Sequence, residues 1–303
     1  METSLITSVG QIHLERPVML ASGILGISLD VFNRLYRSGA GAVVTKSLSR
    51  EPWEGYPNPT IFSVNGGGWI NAVGLSNPGA PNFAKMMETN KDVPIIVSLV
   101  GSIPEDFELM IKEFTNCKVI GFELNLSCPH VAKVGLEVGD DPELVKKIVS
   151  AVKRSTSVPI IAKVGLGTAN YLDTVGVAID SGIDAITAIN TVRAMAIDVE
   201  TQQPILSNKF GGLSGTPIKP IALRCVYEIS SKYDIPIIGC GGISTWEDAV
   251  EFFLAGASAI QVGSAIGDRW TDVFNEINNG ILQYMEKKGI SKIEEMVGRA
   301  KKS

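Results

Sequence analysis

Residues 235–265 read IPIIGCGGISTWEDAVEFFLAGASAIQVGSA, and two short apolar runs in this stretch enclose one longer amphipathic run. The polar pair Ser244-Thr245, followed by Glu247, is a signal for a helix start, and Gly256 stands where that helix should stop. The stretch therefore predicts a strand, a helix and a second strand over residues 235–239, 245–255 and 259–263. This order is typical of a parallel βαβ unit.

The same alternation continues over the rest of the chain. Six more strands are predicted, over residues 18–22, 42–46, 95–100, 121–127, 160–164 and 185–190. Further helices are predicted over residues 104–116, 142–155, 171–181 and 218–232. Eight buried strands that alternate with helices predict an α/β fold, a single (β/α)8 TIM barrel in one domain over residues 1–303. A doubly wound open sheet shows the same alternation, so the strand count alone leaves that fold open.

Three segments lie outside this repeating unit. Residues 4–14 precede the first strand and are predicted to form a hairpin that closes the bottom of the barrel. Residues 47–94 and 191–236 are longer than a connection from a strand to the next helix requires. Because loops that follow barrel strands build the functional face, these two long insertions are expected to cover a site at the carboxyl ends of the strands.

The composition excludes several classes of protein. Lys and Arg number 27 against 32 Asp and Glu, and the net charge of −5 argues against nucleic-acid binding. No apolar run reaches the ~20 residues that cross a bilayer, and the N-terminus lacks the features of a secretion signal. The four cysteines form no CxxC pair and the chain has 2 histidines, so no metal site is predicted. We expect a cytoplasmic enzyme with reduced thiols and no membrane association.

Polar side chains stand at the ends of predicted strands. Lys46, Asn125 and Asn190 are the polar residues at three strand ends, and Lys163 lies near the end of a fourth. Because the carboxyl ends of the barrel strands meet on one rim, these side chains are expected to converge. Any one lysine taken alone is compatible with a solvated loop residue, but a buried ammonium group needs an anion or an acceptor.

Glycines stand at the ends of the last two predicted strands, at Gly241-Gly242 and at Gly263-Ser264. Glycine lets backbone N–H groups approach a phosphate, so two such motifs at adjacent strand ends predict a phosphorylated ligand, either substrate or cofactor. An ordinary turn is the alternative for each motif. The first strand is not followed by GxGxxG and the chain has no GxxxxGK[ST], so neither a dinucleotide fold nor a P-loop is indicated.

Cys128 leaves the fourth predicted strand in the run Asn125-Leu126-Ser127-Cys128-Pro129-His130. Pro129 restricts Cys128 to an extended or turn conformation, which is consistent with a thiol presented from a loop. A Cys–His nucleophile pair for hydrolysis is conceivable, although the lysines and the phosphate motifs would then have no purpose. The alternative is a buried packing cysteine. That role is assigned to the remaining cysteines, Cys117, Cys225 and Cys240.

These residues belong to a set of motifs that spans essentially the whole chain. The set comprises Ala21-Ser22-Gly23, Thr45-Lys46-Ser47, residues 71–75 with Asn77-Pro78-Gly79, residues 123–129, Ala162-Lys163, Ile189-Asn190-Thr191, residues 211–215 and the two glycine motifs. With this set the sequence resembles the class 1 dihydroorotate dehydrogenases, (β/α)8-barrel flavoproteins of pyrimidine (UMP) biosynthesis that bind FMN. The resemblance implies an oxidoreductase that converts (S)-dihydroorotate to orotate.

Residue roles follow from the resemblance, position by position. Cys128 looks like the catalytic base that removes the C5 proton of dihydroorotate while hydride leaves C6 for FMN. Positions that resemble those holding the substrate are Lys46, Asn71, Ala72, Val73, Gly74, Leu75, Asn125, Asn190 and Thr191. Positions that resemble FMN contacts are Ser22, Lys46, Ser47, Ser98, Asn125, Lys163, Ile189 and Gly215, with Gly241, Gly242, Gly263 and Ser264 at the phosphate. Lys163 suits the negative charge of the reduced flavin.

The sequence departs from the family pattern at two positions. His130 stands at a substrate-contact position where the family usually has Asn, two residues after the catalytic cysteine. Ser98 replaces an Asn that is often found near the flavin. Because neither residue is the base, the implied reaction is unchanged.

Within class 1, residues 123–130 and 205–218 resemble the archaeal and Gram-positive type. That type implies a homodimer joined to partner subunits that carry FAD and a [2Fe-2S] cluster and pass electrons to NAD⁺, in a heterotetramer. The simpler class 1 dimers reduce fumarate instead. The cysteine base, without an added N-terminal helical segment, distinguishes the chain from the membrane-associated class, which uses serine.

Three other functions fit parts of the pattern. A dihydropyrimidine dehydrogenase-like flavoenzyme of pyrimidine catabolism acts on a substrate without a carboxylate, so Lys46 and Asn71 favour orotate instead. A dihydrouridine synthase needs a basic RNA-binding surface, which the net charge disfavours. A non-catalytic flavin-binding subunit would bind FMN without reduction by any dihydropyrimidine.

Overall fold

The structure is a computed structural model that describes residues 3–127, 138–167 and 170–302. In chain order its strands are β1 (Thr7–Val9), β2 (Ile12–Leu14), β3 (Val18–Leu20), β4 (Val43–Val44), β5 (Ile61–Val64), β6 (Gly68–Asn71), β7 (Ile95–Leu99), β8 (Gly121–Asn125), β9 (Ile160–Val164), β10 (Ala185–Ala188), β11 (Val192–Ala194), β12 (Ile197–Asp198), β13 (Gln203–Pro204), β14 (Gly211–Gly215), β15 (Ile237–Cys240) and β16 (Ala259–Val262). Its helices are α1 (Leu29–Arg37), α2 (Ala80–Met87), α3 (Pro104–Glu113), α4 (Pro142–Ser155), α5 (Tyr171–Asp180), α6 (Lys219–Lys232), α7 (Trp246–Ala255), α8 (Ile266–Arg269) and α9 (Asp272–Lys288).

Eight strands form a closed barrel, in the order β3-β4-β7-β8-β9-β10-β15-β16 and back to β3. Every neighbouring pair is parallel. The strands β7, β8 and β9 are buried at every position, because helices cover the outer face of the sheet and side chains fill its inside. The predicted (β/α)8 barrel is confirmed, and the open doubly wound sheet is excluded.

The predicted hairpin lies at the bottom of the barrel, where β1 pairs with β2. Its side chains Val9 and Ile12 pack in one cluster with inward-facing barrel residues such as Ile161 and Ile238. The Thr7 hydroxyl donates to the carbonyl of Ser258, just before β16, at 2.8 Å. The hairpin thus closes the amino end of the barrel with apolar side chains, and the polar residues gather at the carboxyl end.

Element ends differ from the prediction in ways that have physical causes. The helix α4 coincides with its predicted range, and α5, α6 and α7 differ by one residue at one end. The helix α3 ends at Glu113 instead of residue 116, because the next N–H groups bond three residues back in a turn. The strand β15 begins at Ile237 because Pro236 has no N–H for the ladder. Among the described residues, none of the helices is both long enough and apolar enough to span a membrane.

The two long insertions pair with each other at the carboxyl end of the barrel. The strands β5 and β6 come from the first insertion, β11 and β14 come from the second, and together they form one sheet in the order β11-β14-β6-β5. We call it the roof sheet. Its central pairing is antiparallel and sets Gly212 opposite Asn71. The sequence predicted that both insertions cover the rim, but it did not indicate that they share a sheet.

Asp248 holds the start of α7. Its carboxylate accepts from the N–H of Thr245 at 2.9 Å, while the Thr245 hydroxyl accepts from the N–H of Asp248, so the two residues form a capping box. Lys219 Nζ lies 2.7 Å from Asp248 Oδ1. Partial burial alone raises the pKa of this carboxyl group, but hydrogen bonds from Lys219, Ser244 and Thr245 outweigh burial, so the pKa lies below its usual value.

Replacing Asp248 by Asn is expected to lower the free energy of unfolding by about 1 kcal/mol at neutral pH, because the cap and the ion pair are both weakened. A carboxyl group with a depressed pKa stabilises the fold above its unfolded pKa of about 3.9, and this stabilisation is lost as the pH falls through the folded value. The difference between the variant and the parent should therefore shrink below about pH 4. Urea unfolding across this range measures it, and a difference that stays constant down to about pH 2 contradicts the assignment.

Candidate active site

Five predicted site residues form a connected network at the carboxyl rim of the barrel. The hydroxyls of Ser47 and Ser98 share a hydrogen bond at 3.0 Å, and Ser22 Oγ lies 3.4 Å from Ser47 Oγ. Asn125 Nδ2 donates to Ser47 Oγ at 3.1 Å, and Asn190 Nδ2 donates to Asn125 Oδ1 at 3.2 Å. The structure thus brings together polar residues that lie in or after β3, β4, β7, β8 and β10.

Asn190 connects this rim network to the roof sheet. Its Oδ1 accepts from the N–H of Thr191 at 2.8 Å. The Thr191 side chain packs against Gly212 so closely that a Cβ on this glycine would overlap it. The carbonyl of Gly212 in turn accepts from Asn71 Nδ2 at 3.3 Å. A continuous chain of contacts therefore runs from Ser22, across the rim, to Asn71.

The loop from Ala72 to Leu75 leaves the roof sheet beside Asn71. The N–H of Ala72 donates to the carbonyl of Thr60 at 2.8 Å, and the carbonyl of Val73 accepts from Tyr56 at 3.2 Å. Asn77 holds the end of the loop, since its Nδ2 donates to the carbonyl of Leu75 at 2.8 Å. Its Oδ1 accepts from the N–H of Gly79 at 2.8 Å. The loop is thus tied at both ends next to the rim.

A buried ionic cluster lies inside the barrel below the rim. Lys163 Nζ stands 3.7 Å from Glu123 Oε1, as an ion pair, and donates to Gln261 Oε1 at 3.2 Å. Glu123 Oε2 accepts from Gln261 Nε2 at 2.7 Å and from Thr187 Oγ1 at 2.9 Å. All four side chains are buried, so the cluster is screened from water.

The charges in this cluster hold Lys163 in its ammonium form. Burial by itself lowers the pKa of Lys163, but Cys240 and Glu123 raise it by more, and the net shift is upward. Burial is also the largest cause that raises the pKa of the Cys240 thiol. The contribution of Cys240 requires its thiolate form, and its raised pKa keeps Cys240 a neutral thiol at neutral pH, so Glu123 is the counter-charge of Lys163 there. A fixed positive charge thus lies directly beneath the rim.

Lys46 supplies a second positive charge at the rim. It lies two residues after the end of β4, and its backbone N–H donates to the carbonyl of Gly26 at 3.0 Å. Its side chain is half-buried, and burial lowers the pKa of its ammonium group, with no neighbouring charge among the described residues contributing to the shift. An ammonium group in this setting favours an anionic ligand, because an anion offsets the cost of burial.

A cavity of about 190 Å³ lies at the carboxyl ends of β15 and β16. Three predicted phosphate-contact or cofactor-contact residues line it, namely Gly215, Gly242 and Ser264. Gly241 and Gly263 are one residue away from lining positions, and Ile189, which is buried, lies against Gly241. The tip of the β5-β6 hairpin covers the cavity through Gly67, and Thr216 donates to the carbonyl of Gly66 at 2.6 Å.

Gly242 shows why the cavity wall requires glycine. Its φ of +73° is unfavourable for other residues, and a Cβ would lie 2.7 Å from the backbone N of Lys219 and 2.8 Å from the carbonyl O of Gly215. The backbone of two segments, the loop that carries Gly242 and residues 215–219, therefore meets here without intervening side chains. Gly242 lines the cavity, and a glycine at such a position lets main-chain N–H groups approach a phosphate, the ligand expected from the sequence.

Two of the predicted site residues have no described position. Cys128 and His130 lie outside the described residues. Ser127, the last described residue before them, is held by its N–H, which donates to Asn125 Oδ1 at 3.2 Å, while its buried hydroxyl has no hydrogen-bond partner in the described part of the chain. No three His, Cys, Asp or Glu side chains within residues 3–127, 138–167 and 170–302 are placed to hold a metal ion.

Sequence reasoning missed part of the site. Glu123 and Gln261 were not singled out, although a charged residue inside an apolar strand is itself a signal of a buried pair. Arg269 was missed because it lies at the end of the short helix α8, after the last strand. The neighbouring sequence does not indicate that its side chain lines the cavity. A larger hollow of about 510 Å³ on α1, lined by Arg34 and Arg37, contains none of the predicted residues.

Comparison with known proteins points in the same direction as the site. The family described as Dihydroorotate dehydrogenase matches residues 4–285. The chain is 49% identical over 295 residues to the "Dihydroorotate dehydrogenase B (NAD(+)), catalytic subunit" of Pyrococcus furiosus. The matched region covers 96% of this chain and 97% of that protein. The proteins of the same name from Methanothermobacter thermautotrophicus and Methanocaldococcus jannaschii are 46% and 40% identical, with 97% and 99% of each chain covered.

Proposed function

The chain belongs to the dihydroorotate dehydrogenase family, and on this premise we propose that it is the catalytic subunit that oxidises dihydroorotate to orotate in pyrimidine biosynthesis. The reaction is an oxidoreduction. Loss of a proton from C5 and of a hydride from C6 creates the ring double bond of orotate. Relatives named for the same reaction cover nearly the whole chain, which supports the assignment over its full length.

The single observation that carries the proposal is the chain of contacts from Ser22 to Asn71. It joins the polar rim network to the roof sheet through Asn190, Thr191 and Gly212. Amide side chains suit a ring edge that alternates donors and acceptors, as the orotate ring does. Lys46 lies at the same rim and suits the carboxylate of the substrate.

The residues present fit FMN as the cofactor. The close packing around Gly242 leaves no room for a Cβ, and this residue lines the cavity proposed for the phosphate. Hydroxyl groups at the rim come from Ser22, Ser47 and Ser98, and Lys163 supplies a positive charge just beneath it for the flavin ring. When bound, FMN supplies the acceptor for the hydride that leaves C6. We propose that Lys163, held as an ammonium by Glu123, offsets the negative charge of the reduced ring.

In this proposal Cys128 is the base that removes the C5 proton. A thiol with an ordinary pKa near 8.5 removes a proton when its surroundings favour the thiolate. The residues that precede it are well anchored, since Asn125 holds both Ser47 and the N–H of Ser127. Asn125 therefore serves two roles, as a ligand contact and as the anchor of the segment that leads to the base.

Electrons must then leave the chain, and we propose NAD⁺ as their final acceptor. The relatives carry NAD(+) and "catalytic subunit" in their names, which supports a route through a second subunit. We infer that this partner carries FAD and a [2Fe-2S] cluster, that the chain forms a homodimer within a heterotetramer, and that the assembly works in the cytoplasm. Direct transfer to fumarate is the competing outcome, and assays with each acceptor distinguish them.

An anaerobic visible spectrum of the purified chain tests the function. Addition of dihydroorotate is expected to bleach an oxidised flavin band. A flavin that is bleached by dihydrouracil and not by dihydroorotate would replace the proposal with a catabolic dihydropyrimidine dehydrogenase. Failure to bind FMN after reconstitution would overturn both readings.

Replacing Lys46 by Ala is expected to raise the KM for dihydroorotate about 10- to 100-fold, because a charge-assisted contact to the carboxylate is lost. The lowered pKa of Lys46 adds a pH dependence. Its ammonium form, and with it substrate binding, is lost as the pH rises through that value. Steady-state kinetics measure both effects. The exposed Lys85 on α2 provides the control, since Lys85→Ala should leave the KM unchanged. An unchanged KM in Lys46→Ala contradicts the contact.

A further inference from the structure

Arg269 stands out among the residues that line the 190 Å³ cavity. Of the lining residues in the described part of the chain, Arg269 carries the only positive charge and Asp268 the only negative one. The other lining groups are backbone, hydroxyl and apolar. A phosphate monoester brings about two negative charges at neutral pH, which neutral donors compensate only in part.

The guanidinium of Arg269 is fixed in place from two sides. Nη2 donates to the carbonyl of Ser244, in the loop that follows β15. Nη1 donates to Glu276 Oε2 on α9 at 3.1 Å. A guanidinium carries five N–H donors in one plane, so these two contacts orient the group without using all its donors. Its side chain is about one-third exposed, which places it at the cavity wall and not in bulk solvent.

We propose that Arg269 is the cationic anchor for the phosphate of the flavin and makes the chain select FMN over riboflavin. The inference rests on the proposed function, because it presumes that a flavin occupies the rim. The planar fork of arginine matches two phosphate oxygens, a geometry that lysine cannot reproduce. Through Ser244, the same side chain also holds the loop that carries Gly242.

The remaining charges near the cavity do not replace Arg269. Lys219 adjoins Gly242 through its backbone, but its ammonium is engaged by Asp248 at 2.7 Å and by Glu251 at 2.8 Å. Asp268 opposes a phosphate, but it is exposed, so water screens its charge. Glu276 reduces the net charge of Arg269, and its carboxylate is itself half-exposed.

The test compares two ligands that differ only in the phosphate. After removal of bound flavin, the affinities for FMN and for riboflavin are measured by quenching of flavin fluorescence. In Arg269→Gln the affinity for FMN should fall about tenfold or more while that for riboflavin changes less than about threefold. The affinity of Arg269→Lys for FMN should lie between those of the parent and Arg269→Gln, because lysine keeps the charge and loses the planar pair of donors.

Two matched variants separate this role from others. Arg37→Gln removes the same charge from α1, away from the cavity, and should leave the ratio of the two affinities unchanged. Glu276→Gln breaks the ion pair but keeps the guanidinium, and its ratio should stay within about threefold of the parent. The proposal is overturned if Arg269→Gln lowers the affinities for FMN and riboflavin equally or lowers neither. It is also overturned if Glu276→Gln reproduces the effect of Arg269→Gln. A parent that binds neither flavin would instead overturn the proposed function, and the inference with it.

Discussion

Replacing Cys128 by Ala is expected to lower the rate of dihydroorotate oxidation by about 10²- to 10⁴-fold, while FMN stays bound. The reason is that the C5 proton of the substrate then has no base, whereas the proposed flavin contacts lie on other residues. The rate of flavin bleaching after anaerobic mixing with dihydroorotate measures the loss directly. The flavin-to-protein ratio after gel filtration shows whether the cofactor is retained.

Two variants sharpen this experiment. Cys128→Ser should regain part of the rate as the pH is raised, because a hydroxyl is a poorer base that benefits from a higher pH. Cys117→Ala removes a thiol that donates to the carbonyl of Ala84, outside the proposed site, and should keep the parent rate. A Cys128→Ala enzyme that retains more than about a tenth of the parent rate would show that another group takes the proton.

Replacing Glu123 by Ala is expected to lower the free energy of unfolding by about 3–5 kcal/mol, the largest stability effect we predict. Removal of the carboxylate leaves Lys163 buried without its counter-charge and deprives Thr187 and Gln261 of their common acceptor. The buried ammonium then faces the full cost of desolvation. Urea unfolding of the flavin-free chain measures the effect, since flavin binding would otherwise add to the apparent stability.

The exposed Glu51 supplies the control for this prediction. Glu51→Ala removes an exposed carboxylate that lies 4.0 Å from the guanidinium of Arg50, and should change the unfolding free energy by less than about 0.5 kcal/mol. Glu123→Gln should be intermediate, because its amide keeps an acceptor for Thr187 but places an N–H group near Lys163. A loss below about 1 kcal/mol in Glu123→Ala would mean that water or rearrangement satisfies Lys163.

The barrel was predictable from sequence because its units are local. Each strand is a short apolar run, and each helix has its own periodicity and end signals, as the stretch around Thr245 and Gly256 illustrates. The roof sheet was not predictable in the same way. Its strands β6 and β14 belong to segments far apart in the chain, and β14 is the sequence Gly-Gly-Leu-Ser-Gly, which has no alternating apolar pattern.

In the candidate site as well, residues placed by the barrel geometry were predictable, and residues placed by tertiary packing were not. Polar residues at strand ends were found because the barrel geometry dictates where they meet, and Asn125 and Asn190 do form a hydrogen bond. Of the buried pair, the sequence analysis predicted Lys163 as a site residue but not Glu123, because no pattern in the sequence indicates which partner a buried lysine takes. Arg269 was missed because its contact depends on the path of α8, which is set by packing.

The roof sheet also determines when a refolding chain first becomes able to hold its ligands. Asn71 and Gly212 are 141 positions apart, so their pairing must wait until the intervening strands and helices have brought the two insertions together. Helical content, which arises from local contacts, forms earlier in such a topology. The ability to bind ligands is therefore acquired late in folding, after the roof sheet has formed. A chain with every βα unit in place but an open barrel would look folded by its helices and still be unable to bind its substrate.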